Sequence, residues 1–444
     1  MEFVPFYLAC LAHGSYLIGD RSTGTALVVD PQRDIAPYLA AAAERGLTIR
    51  HVVLTHFHAD FVAGHLALQA ATGATVHLGA AAQAEFAFAP LADGDEIVLG
   101  DSVRVRALAT PGHTPEGITL LVLDQGVVTR ALTGDTLFVG DVGRPDLLAS
   151  VGVSATDLAT SLHASLQRLL ALPDSVEVWP AHGAGSLCGK KLGAERFSTI
   201  GAERQGNWAL QPMPAADFIA QVTADQPAAP AYFIHDVQLN RSADSGRPVT
   251  STALSAVAFR AAQAQGALVL DVRDGAAFAA AHIPGALAIG LSGAFAPTVG
   301  QLVAPTARLL VVAEPGREAE AATRLSRIGY DGLVGHLDGG MAAWGEAPVV
   351  AATRMSAAEV RAAGSALIID VRNPSERALG AIPGSLGIPL IDLPAHLADL
   401  PRDRLLIVHC AGGYRSLAAG SLLARAGFTV ADLLGGYQAY RAAV

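Results

Sequence analysis

Apolar positions along the first 240 residues are grouped mainly in short runs, which predict strands rather than long helices. Such runs of apolar and often β-branched residues occur at 27–30, 52–55, 75–78, 97–99, 103–107, 119–123, 127–129 and 176–179. Helical periodicity is present at 35–44, 65–71 and 156–172. Two strand-rich halves with intervening helices predict a sandwich of two sheets flanked by helices.

The second half of the chain contains an internal repeat. The tripeptide Asp-Val-Arg at 271–273 recurs 99 residues later at 370–372, and the pair Gly-Gly at 339–340 recurs 96 residues later. Landmarks in one order at nearly constant spacing indicate two copies of one domain. Each copy alternates β-branched runs with Ala-rich helical stretches, which is typical of a parallel sheet covered on both faces.

Two linker-like segments separate the repeat from what precedes it. Residues 224–230 are rich in Ala and Pro, and residues 240–250 are polar. We therefore predict an α/β multidomain protein with domains at 1–245, 251–350 and 351–444.

Composition excludes several classes of partner. The chain has 444 residues, of which 51% are hydrophobic and 16% charged, and its net charge is −10. An acidic chain argues against nucleic-acid partners, and the lack of a run of about 18 apolar residues argues against a membrane span. The N-terminus has no leader pattern, and the three cysteines are far apart, so we expect a cytoplasmic protein without disulfides.

Histidines and aspartates follow several of the predicted strands. His-x-His-x-Asp at 56–60 comes directly after one strand, and His113, Asp135 and His182 close later apolar runs. This order resembles the metallo-β-lactamase superfamily, which implies its αββα sandwich and a metal site.

Position 61 departs from the two-metal hydrolases of that superfamily, which carry a histidine directly after the aspartate. Here the residue is Phe61, whose side chain offers no ligand atom. A bridging hydroxide between two metals is then hard to form. One metal held by two imidazoles and one carboxylate remains, an arrangement favoured by non-haem Fe(II).

The segment from 133 to 146 resembles the persulfide dioxygenases. The resemblance implies one Fe(II) per chain with the ligands His56, His113 and Asp135. It also implies that His58, Asp60 and His182 orient these ligands or hydrogen-bond substrate and dioxygen, with His58 and Asp60 taking part in catalysis. Arg144 would contact an anionic group of the thiol carrier, although an ordinary ion pair is an open alternative.

A Gly-rich segment with two lysines, at 183–191, follows His182. Its backbone and Lys190 are suited to binding a carboxylate or phosphate of the carrier. Cys188 is either a substrate-contacting thiol or a packed residue, whereas Cys10 reads as a small buried hydrophobe.

A cysteine loop at 409–416 lies between a predicted strand and a predicted helix. Gly412, Gly413 and Tyr414 free backbone N–H groups to face the sulfur of Cys410, and Arg415 adds a positive charge, which together favour an anionic sulfur. The loop resembles that of rhodanese domains, which implies that Cys410 carries a transferable sulfur atom and that Gly412, Gly413 and Tyr414 bind the substrate. Glu314 stands at the corresponding position of the first copy, so we expect that copy to be catalytically inactive.

The whole chain resembles fusions of a persulfide dioxygenase with two rhodanese domains. The resemblance implies oxidation of a small thiol persulfide (of glutathione, coenzyme A or bacillithiol) by O2 to sulfite, then conversion of sulfite to thiosulfate. It also implies a homo-oligomer. Two alternatives stay open: a zinc thioester hydrolase similar to glyoxalase II fused to a sulfurtransferase, and a sulfur-carrier binding module serving the rhodanese.

Overall fold

The protein is described by a computed structural model, which covers residues 1–147, 152–190, 192–226, 229–245 and 250–443. The chain divides into two compact units. The first is Met1–Pro248 with Arg327–Gly329, and the second is Val249–Ser326 with Tyr330–Val444. Among the described residues, no helix combines the length and hydropathy needed to cross a bilayer.

The first unit contains two six-stranded sheets. The strands of the first sheet, in spatial order, are β1 (Glu2–Leu8), β2 (His13–Asp20), β3 (Thr25–Val29), β4 (Thr48–Val53), β5 (Thr75–Gly79) and β6 (Ala89–Leu91). Those of the second are β7 (Glu96–Val98), β8 (Val103–Ala109), β9 (Ile118–Asp124), β10 (Val127–Gly134), β11 (Glu177–Pro180) and β12 (Ser198–Thr199). Each sheet mixes antiparallel and parallel pairs.

Six helices accompany these sheets. They are α1 (Ala36–Glu44), α2 (His65–Thr72), α3 (Ala155–Leu170), α4 (Ile200–Gly206), α5 (Ala215–Thr223) and α6 (Tyr232–Arg241). Helix α3 begins where the Ser154 hydroxyl accepts a hydrogen bond from the Asp157 amide. Its apolar residues at 162, 166 and 169 recur at helical spacing and are buried in one core with strands of the second sheet. The predicted sandwich is therefore confirmed.

The second unit contains two five-stranded parallel sheets with the same strand order. The first copy has β13 (Ala253–Leu254), β14 (Leu268–Asp271), β15 (Leu287–Ala288), β16 (Leu309–Val312) and β17 (Leu333–Leu337). The second has β18 (Thr353–Met355), β19 (Leu367–Asp370), β20 (Leu386–Gly387), β21 (Leu406–His409) and β22 (Val430–Leu433). All their strand pairs are parallel, as the alternating pattern predicts.

The helices of this unit connect successive parallel strands, except for α14, which follows the last strand. Those of the first copy are α7 (Ala256–Ala264), α8 (Gly275–Ala280), α9 (Phe295–Leu302) and α10 (Glu318–Arg327). Those of the second are α11 (Ala357–Ala362), α12 (Pro374–Ala378), α13 (Tyr414–Arg425) and α14 (Gly436–Ala442). Both copies lie in one compact unit, and the three-domain boundaries stay a prediction.

The N-terminal hairpin of β1 and β2 is not among the strands that the sequence pattern predicts. Its residues form an antiparallel pair whose register joins Glu2 to Gly19 and Leu8 to His13. Strand β2 is buried along its whole length, so it shows no alternation of polar and apolar residues that would mark a strand in the sequence.

Candidate metal centre and sulfur-transfer loop

Several of the predicted metal-site residues lie directly after the ends of strands. Strands β10 and β11 are parallel neighbours with Gly134 opposite Pro180, so Asp135 and His182 leave the second sheet at the same edge. Gly134 has a φ of +52°, and a Cβ there would lie 2.6 Å from the Thr55 hydroxyl oxygen. Glycine at this position thus allows the loop after β4, which carries His56, to approach the end of β10.

His56, His113 and Asp135 form one compact group of donor atoms. Nε2 of His56 lies 3.7 Å, and Nε2 of His113 lies 3.4 Å, from Oδ2 of Asp135. The three side chains are buried and line a cavity with about 10 Å³ of space, which is enough for one small ion or water. The structure therefore brings together the three residues that the sequence predicts as ligands.

Hydrogen bonds fix the orientation of both imidazoles. The Thr55 hydroxyl donates to Asp30 at 2.8 Å, so its oxygen accepts a hydrogen bond from the Nδ1–H of His56 at 3.0 Å. The backbone carbonyl of Arg144 accepts a hydrogen bond from Nδ1 of His113 at 2.9 Å. Protonation at Nδ1 leaves the Nε2 lone pair for a metal. Sequence reasoning missed Thr55 and Asp30, although Thr55 directly precedes the His-x-His motif.

Burial sets the protonation of these groups. Burial lowers the pKa of His56 well below its ordinary value and also lowers the pKa of His113, which keeps the imidazoles neutral. For Asp135, burial alone would raise the pKa, but attraction to His182 and His56 holds it well below the usual range. Two neutral imidazoles and one carboxylate are the ligand forms that a divalent metal requires.

His58, Asp60 and His182 form a second buried group beside the first. Nε2 of His182 lies 2.9 Å from Asp60, and its Nδ1 lies 2.8 Å from Oδ1 of Asp135. Burial would lower the pKa of His182, but attraction to the Asp135 and Asp60 carboxylates raises it well above its ordinary value. The donor atoms of the group lie within 4.8 Å of one another. His58 Nε2 is 3.1 Å from Asp30 but makes no hydrogen bond within the described part of the chain.

Phe61 lies against this second group. Its ring is buried and lies 4.4 Å, between centroids, from the ring of His58. Asn240 on α6 holds the loop that carries both, because its side-chain amide donates to the backbone carbonyls of His58 and Phe61 at 2.8 Å each. His13 at the start of β2 also packs on Phe61. Sequence reasoning missed His13 and Asn240, since neither belongs to a motif.

Residues assigned to substrate binding next to this centre are engaged with other groups in the structure. The Arg144 guanidinium is buried and makes two hydrogen bonds to Asp146, at 2.7 and 2.6 Å. The Lys190 ammonium donates to the Gln221 carbonyl at 2.7 Å, and Lys191 lies outside the described residues. Roles of Arg144 and Lys190 in substrate binding stay predictions.

Cys188 is packed close to the metal centre rather than exposed to solvent. Its sulfur belongs to a group with Asp135 and His182 whose donor atoms lie within 4.8 Å of one another. Burial raises the pKa of the Cys188 thiol to about 12, so the thiol is protonated at neutral pH. A contact with substrate there stays a prediction.

The fit of this centre to one Fe(II) rests on its donors. Two Nε2 atoms and one carboxylate leave open coordination positions, which is the ligand set of non-haem Fe(II) sites. His56 and His113 are held by hydrogen bonds at Nδ1, and Asp135 is held by His182. The residues present therefore suit the metal that the sequence predicts.

The cysteine loop connects β21 to α13. The Gly413 amide donates to the Cys410 sulfur at 3.1 Å, and α13 begins at the next residue. Gly413 has a φ of +106°, a conformation that favours glycine. Arg415 pairs with Glu376 through two bonds of 2.7 Å. The hydrogen bonds to Glu376 are the main cause that raises the pKa of Arg415, and attraction to the nearby Cys410 sulfur adds to it. The sulfur thus lies near a backbone donor and a cation, as the sequence predicts.

The side chain of Tyr414 is bonded to the first copy. Its hydroxyl donates to the backbone carbonyl of Gly290 at 2.8 Å. Tyr414 also lines a cavity with Gly412 and Gly413, and the roles of these three residues in substrate binding stay predictions. In the first copy, Glu314 accepts a hydrogen bond from the Asp274 amide at 2.7 Å, so a carboxylate lies in the loop where the second copy has its sulfur.

Comparisons with known proteins agree with this architecture. The metallo-beta-lactamase superfamily matches residues 10–182, and the rhodanese-like domain family matches residues 255–347 and 354–443. The crystal structure of a metallo-beta-lactamase from Staphylococcus aureus is 33% identical, with a TM-score of 0.67, over 76% of this chain and 98% of that chain.

Two curated relatives carry different activities in their names. A hydroxyacylglutathione hydrolase of Methylococcus capsulatus is 36% identical over 38% of this chain and 60% of its own length. The human mitochondrial persulfide dioxygenase ETHE1 is 32% identical over 38% of this chain and 63% of its own length. The chain thus spans less than two thirds of either relative. By its domains and relatives, the protein belongs to the metallo-β-lactamase superfamily, as a persulfide dioxygenase-like domain fused to two rhodanese-like domains.

Proposed function

We propose that the protein is a mononuclear iron persulfide dioxygenase coupled to a sulfurtransferase. One persulfide, one O2 and one water give the free thiol, sulfite and two protons, so that the terminal sulfur is oxidised and O2 is reduced. The observation that carries the proposal is the buried group of His56, His113 and Asp135, together with Phe61 packed against the neighbouring His58 where a second metal would need a ligand. Iron(II) bound there would supply the activation of dioxygen and the oxidation of sulfur.

The neighbouring residues of the chain have defined tasks in this proposal. Thr55 and the Arg144 carbonyl keep the Nε2 atoms of both histidines directed at the metal position. His182 lies between Asp135 and Asp60, with its two ring nitrogens 2.8 and 2.9 Å from their carboxylates, and in its protonated form it is available to donate a proton to an anionic sulfur or oxygen. Phe61 supplies an apolar wall that excludes water.

The second step takes place at Cys410. A thiolate at Cys410 takes the sulfane sulfur of a persulfide and becomes Cys–S–S⁻, while the carrier thiol leaves. Sulfite then attacks the outer sulfur, so that a new S–S bond forms thiosulfate and the Cys410 thiolate leaves with the electron pair. The Gly413 amide, 3.1 Å from the sulfur, and the nearby Arg415 stabilise both anionic forms.

A zinc thioester hydrolase similar to glyoxalase II is the second candidate. The hydroxyacylglutathione hydrolase relatives favour it, as does the group of His58, Asp60 and His182, which offers donor atoms for a second metal. Phe61 argues against it because a phenyl ring cannot act as a ligand. The identity of the thiol carrier, the oligomeric state and the cytoplasmic location stay predictions.

A comparison of two substrates on one preparation tests the proposal. Purified full-length protein, loaded anaerobically with Fe(II), is given either glutathione persulfide or a hydroxyacylglutathione. We expect oxygen consumption and sulfite with the first and no release of free thiol from the second. Thioester cleavage without oxygen consumption would establish the hydrolase instead. A His113→Ala variant separates both from a mere binding module, because either metal-dependent activity should be lost in it while carrier binding would persist.

A further inference from the structure

One face of helix α13 is packed against the first rhodanese copy. Four of its residues, spaced by three and four positions, make contacts there, which is the spacing of a single helical stripe. They are Tyr414, Leu417, Ser421 and Arg425. Since α13 begins directly after the Cys410 loop, this stripe joins the sulfur-bearing loop to a copy that lacks the cysteine.

Hydrogen bonds to the main chain of the first copy occur at both ends of the stripe. Tyr414 donates to the Gly290 carbonyl at 2.8 Å, and Arg425 donates to the Gly285 carbonyl at 3.0 Å. Between them, the Ser421 hydroxyl accepts from the Ala288 amide at 3.0 Å. Such bonds fix the position of the helix along its axis as well as its rotation.

Two glycines of the first copy make room for side chains of α13. A Cβ at Gly293 would lie 2.2 Å from the Tyr414 ring, and a Cβ at Gly275 would lie 2.9 Å from Leu417. Leu417 is part of the apolar core of the first copy, together with Phe278 and Trp344. The first copy is therefore shaped to receive this helix.

The opposite side of the cysteine loop is held by the second copy itself. The Tyr437 amide donates to the Cys410 carbonyl at 2.7 Å, and the Gln438 amide donates to the Ala411 carbonyl at 3.0 Å. The loop thus lies between α14, which fixes its first residues, and α13, which fixes its last. The position of the Gly413 amide relative to the sulfur depends on both supports.

We propose that the first rhodanese copy is a positioning domain for sulfur transfer: through Tyr414 and the α13 stripe, it sets the geometry of the Cys410 loop. This inference rests on the proposed role of Cys410 and adds a task for the copy that cannot carry sulfur. Tyr414 and Gly293 are then positioning residues, which act through the loop rather than by touching the transferred atom.

The test uses sulfur transfer from thiosulfate to cyanide by the full-length protein, which requires neither iron nor oxygen. In this assay Cys410 takes the sulfane sulfur and releases sulfite, and cyanide then takes that sulfur to form thiocyanate. The variants are Gly293→Ala, which adds a methyl group in the first copy, and Tyr414→Phe. Their matched controls are Gly364→Ala, where a Cβ meets nothing within 4 Å, and Tyr440→Phe, whose ring contacts Arg361 within the second copy.

We expect kcat to fall about tenfold in Gly293→Ala and less in Tyr414→Phe, because small displacements of reacting groups are costly. KM for thiosulfate and the melting temperature should change little, and both controls should behave as the wild type. Turnover by both variants at the rate of their controls, or a loss explained fully by unfolding, would overturn the positioning role. Absence of transfer by the wild type would overturn the sulfurtransferase function itself, and this inference with it.

Discussion

The phenyl ring of Phe61 lies 4.0 Å, between ring centroids, from the imidazole of His13. Both side chains are buried, and neither ring nitrogen of His13 has a hydrogen-bond partner among the described residues. The His13 ring also lies 5.8 Å from the ring of His58 and 5.7 Å from that of His182. Phe61 therefore fills space beside the second donor group and contributes no ligand atom there. The account of a single metal depends on this packing.

Replacement of Phe61 by histidine should return a donor to the second group. With His58, Asp60 and His182 already within 4.8 Å of one another, we expect the Phe61→His protein to bind up to two metals per chain where the wild type binds one. Metal analysis of protein loaded with zinc or iron checks this. Phe88→His, at a half-buried position that belongs to none of the described donor groups, is the control. A wild-type content of two metals would contradict the account.

Thr55 orients a predicted ligand without touching the metal position. Thr55→Val removes the hydroxyl that accepts from His56 while it keeps the shape of the side chain. Loss of such a bond costs about tenfold or more in metal affinity, and we expect that loss in competition with an iron chelator. Thr72→Val, which removes a hydroxyl that donates to the Leu68 carbonyl and accepts from the Ala74 amide, should bind iron as the wild type does. Equal affinities in the two variants would refute the role of Thr55.

Cys410→Ser separates the two halves of the proposed reaction. The variant keeps the metal centre but has no sulfur to carry, so we expect normal oxygen uptake with glutathione persulfide and accumulation of sulfite in place of thiosulfate. Quantitative analysis of sulfur anions after a fixed oxygen consumption is the measurement. Cys10→Ser is the control, since Cys10 lies in the N-terminal segment of the metal-binding unit. Unchanged thiosulfate formation in Cys410→Ser would remove the rhodanese copy from the reaction.

Asp370 forms hydrogen-bonded ion pairs with two arginines of the second rhodanese copy. It accepts bonds from Arg372 at 2.9 and 2.7 Å and from Arg377 at 3.1 Å. Burial would raise the pKa of Asp370, but the bond from Arg372 and attraction to His409 hold it below the ordinary value. Its contribution to stability is therefore complete above about pH 4 and is lost as pH falls through the folded-state pKa.

We expect Asp370→Asn to destabilise the second unit by about 3 kcal/mol at pH 7, the cost of leaving buried cations without their partner. The difference from the wild type should shrink below about pH 4. Urea unfolding, followed by hydrogen exchange in β19 and β21, measures the difference in unfolding free energy between variant and wild type at pH 7 and below about pH 4. Asp403→Asn, at an exposed carboxylate, should have little effect. An equal loss at low and neutral pH would show that the ion pair is not its source.

Much of the fold and of the metal group could be predicted from the sequence because the information is local. His56, His113 and Asp135 each follow an apolar run, and the ends of buried strands carry loops at one edge of a sheet. The repeat at nearly constant spacing likewise predicts two parallel sheets of the same order. Fold and family are confirmed by the structure and the comparisons.

The remaining features depend on contacts between distant segments, which leave no periodic signal. Asn240 reaches the His58 loop across 182 positions of sequence, and Asp30 reaches Thr55 across 25. The bond from the Tyr414 hydroxyl to the Gly290 carbonyl joins two copies of the domain across 124 positions of sequence, and substrate binding by Tyr414 stays a prediction. A single sequence does not reveal which face of α13 meets a neighbouring copy.

The most direct test of the central claim measures metal content and oxygen uptake on one preparation. Full-length protein, reconstituted with iron and analysed for iron and zinc, is supplied with glutathione persulfide in an oxygen electrode. The account predicts one iron per chain, and one O2 consumed for every molecule of sulfite or of thiosulfate that accumulates. Two zinc ions per chain, with no oxygen uptake after iron reconstitution, would contradict it.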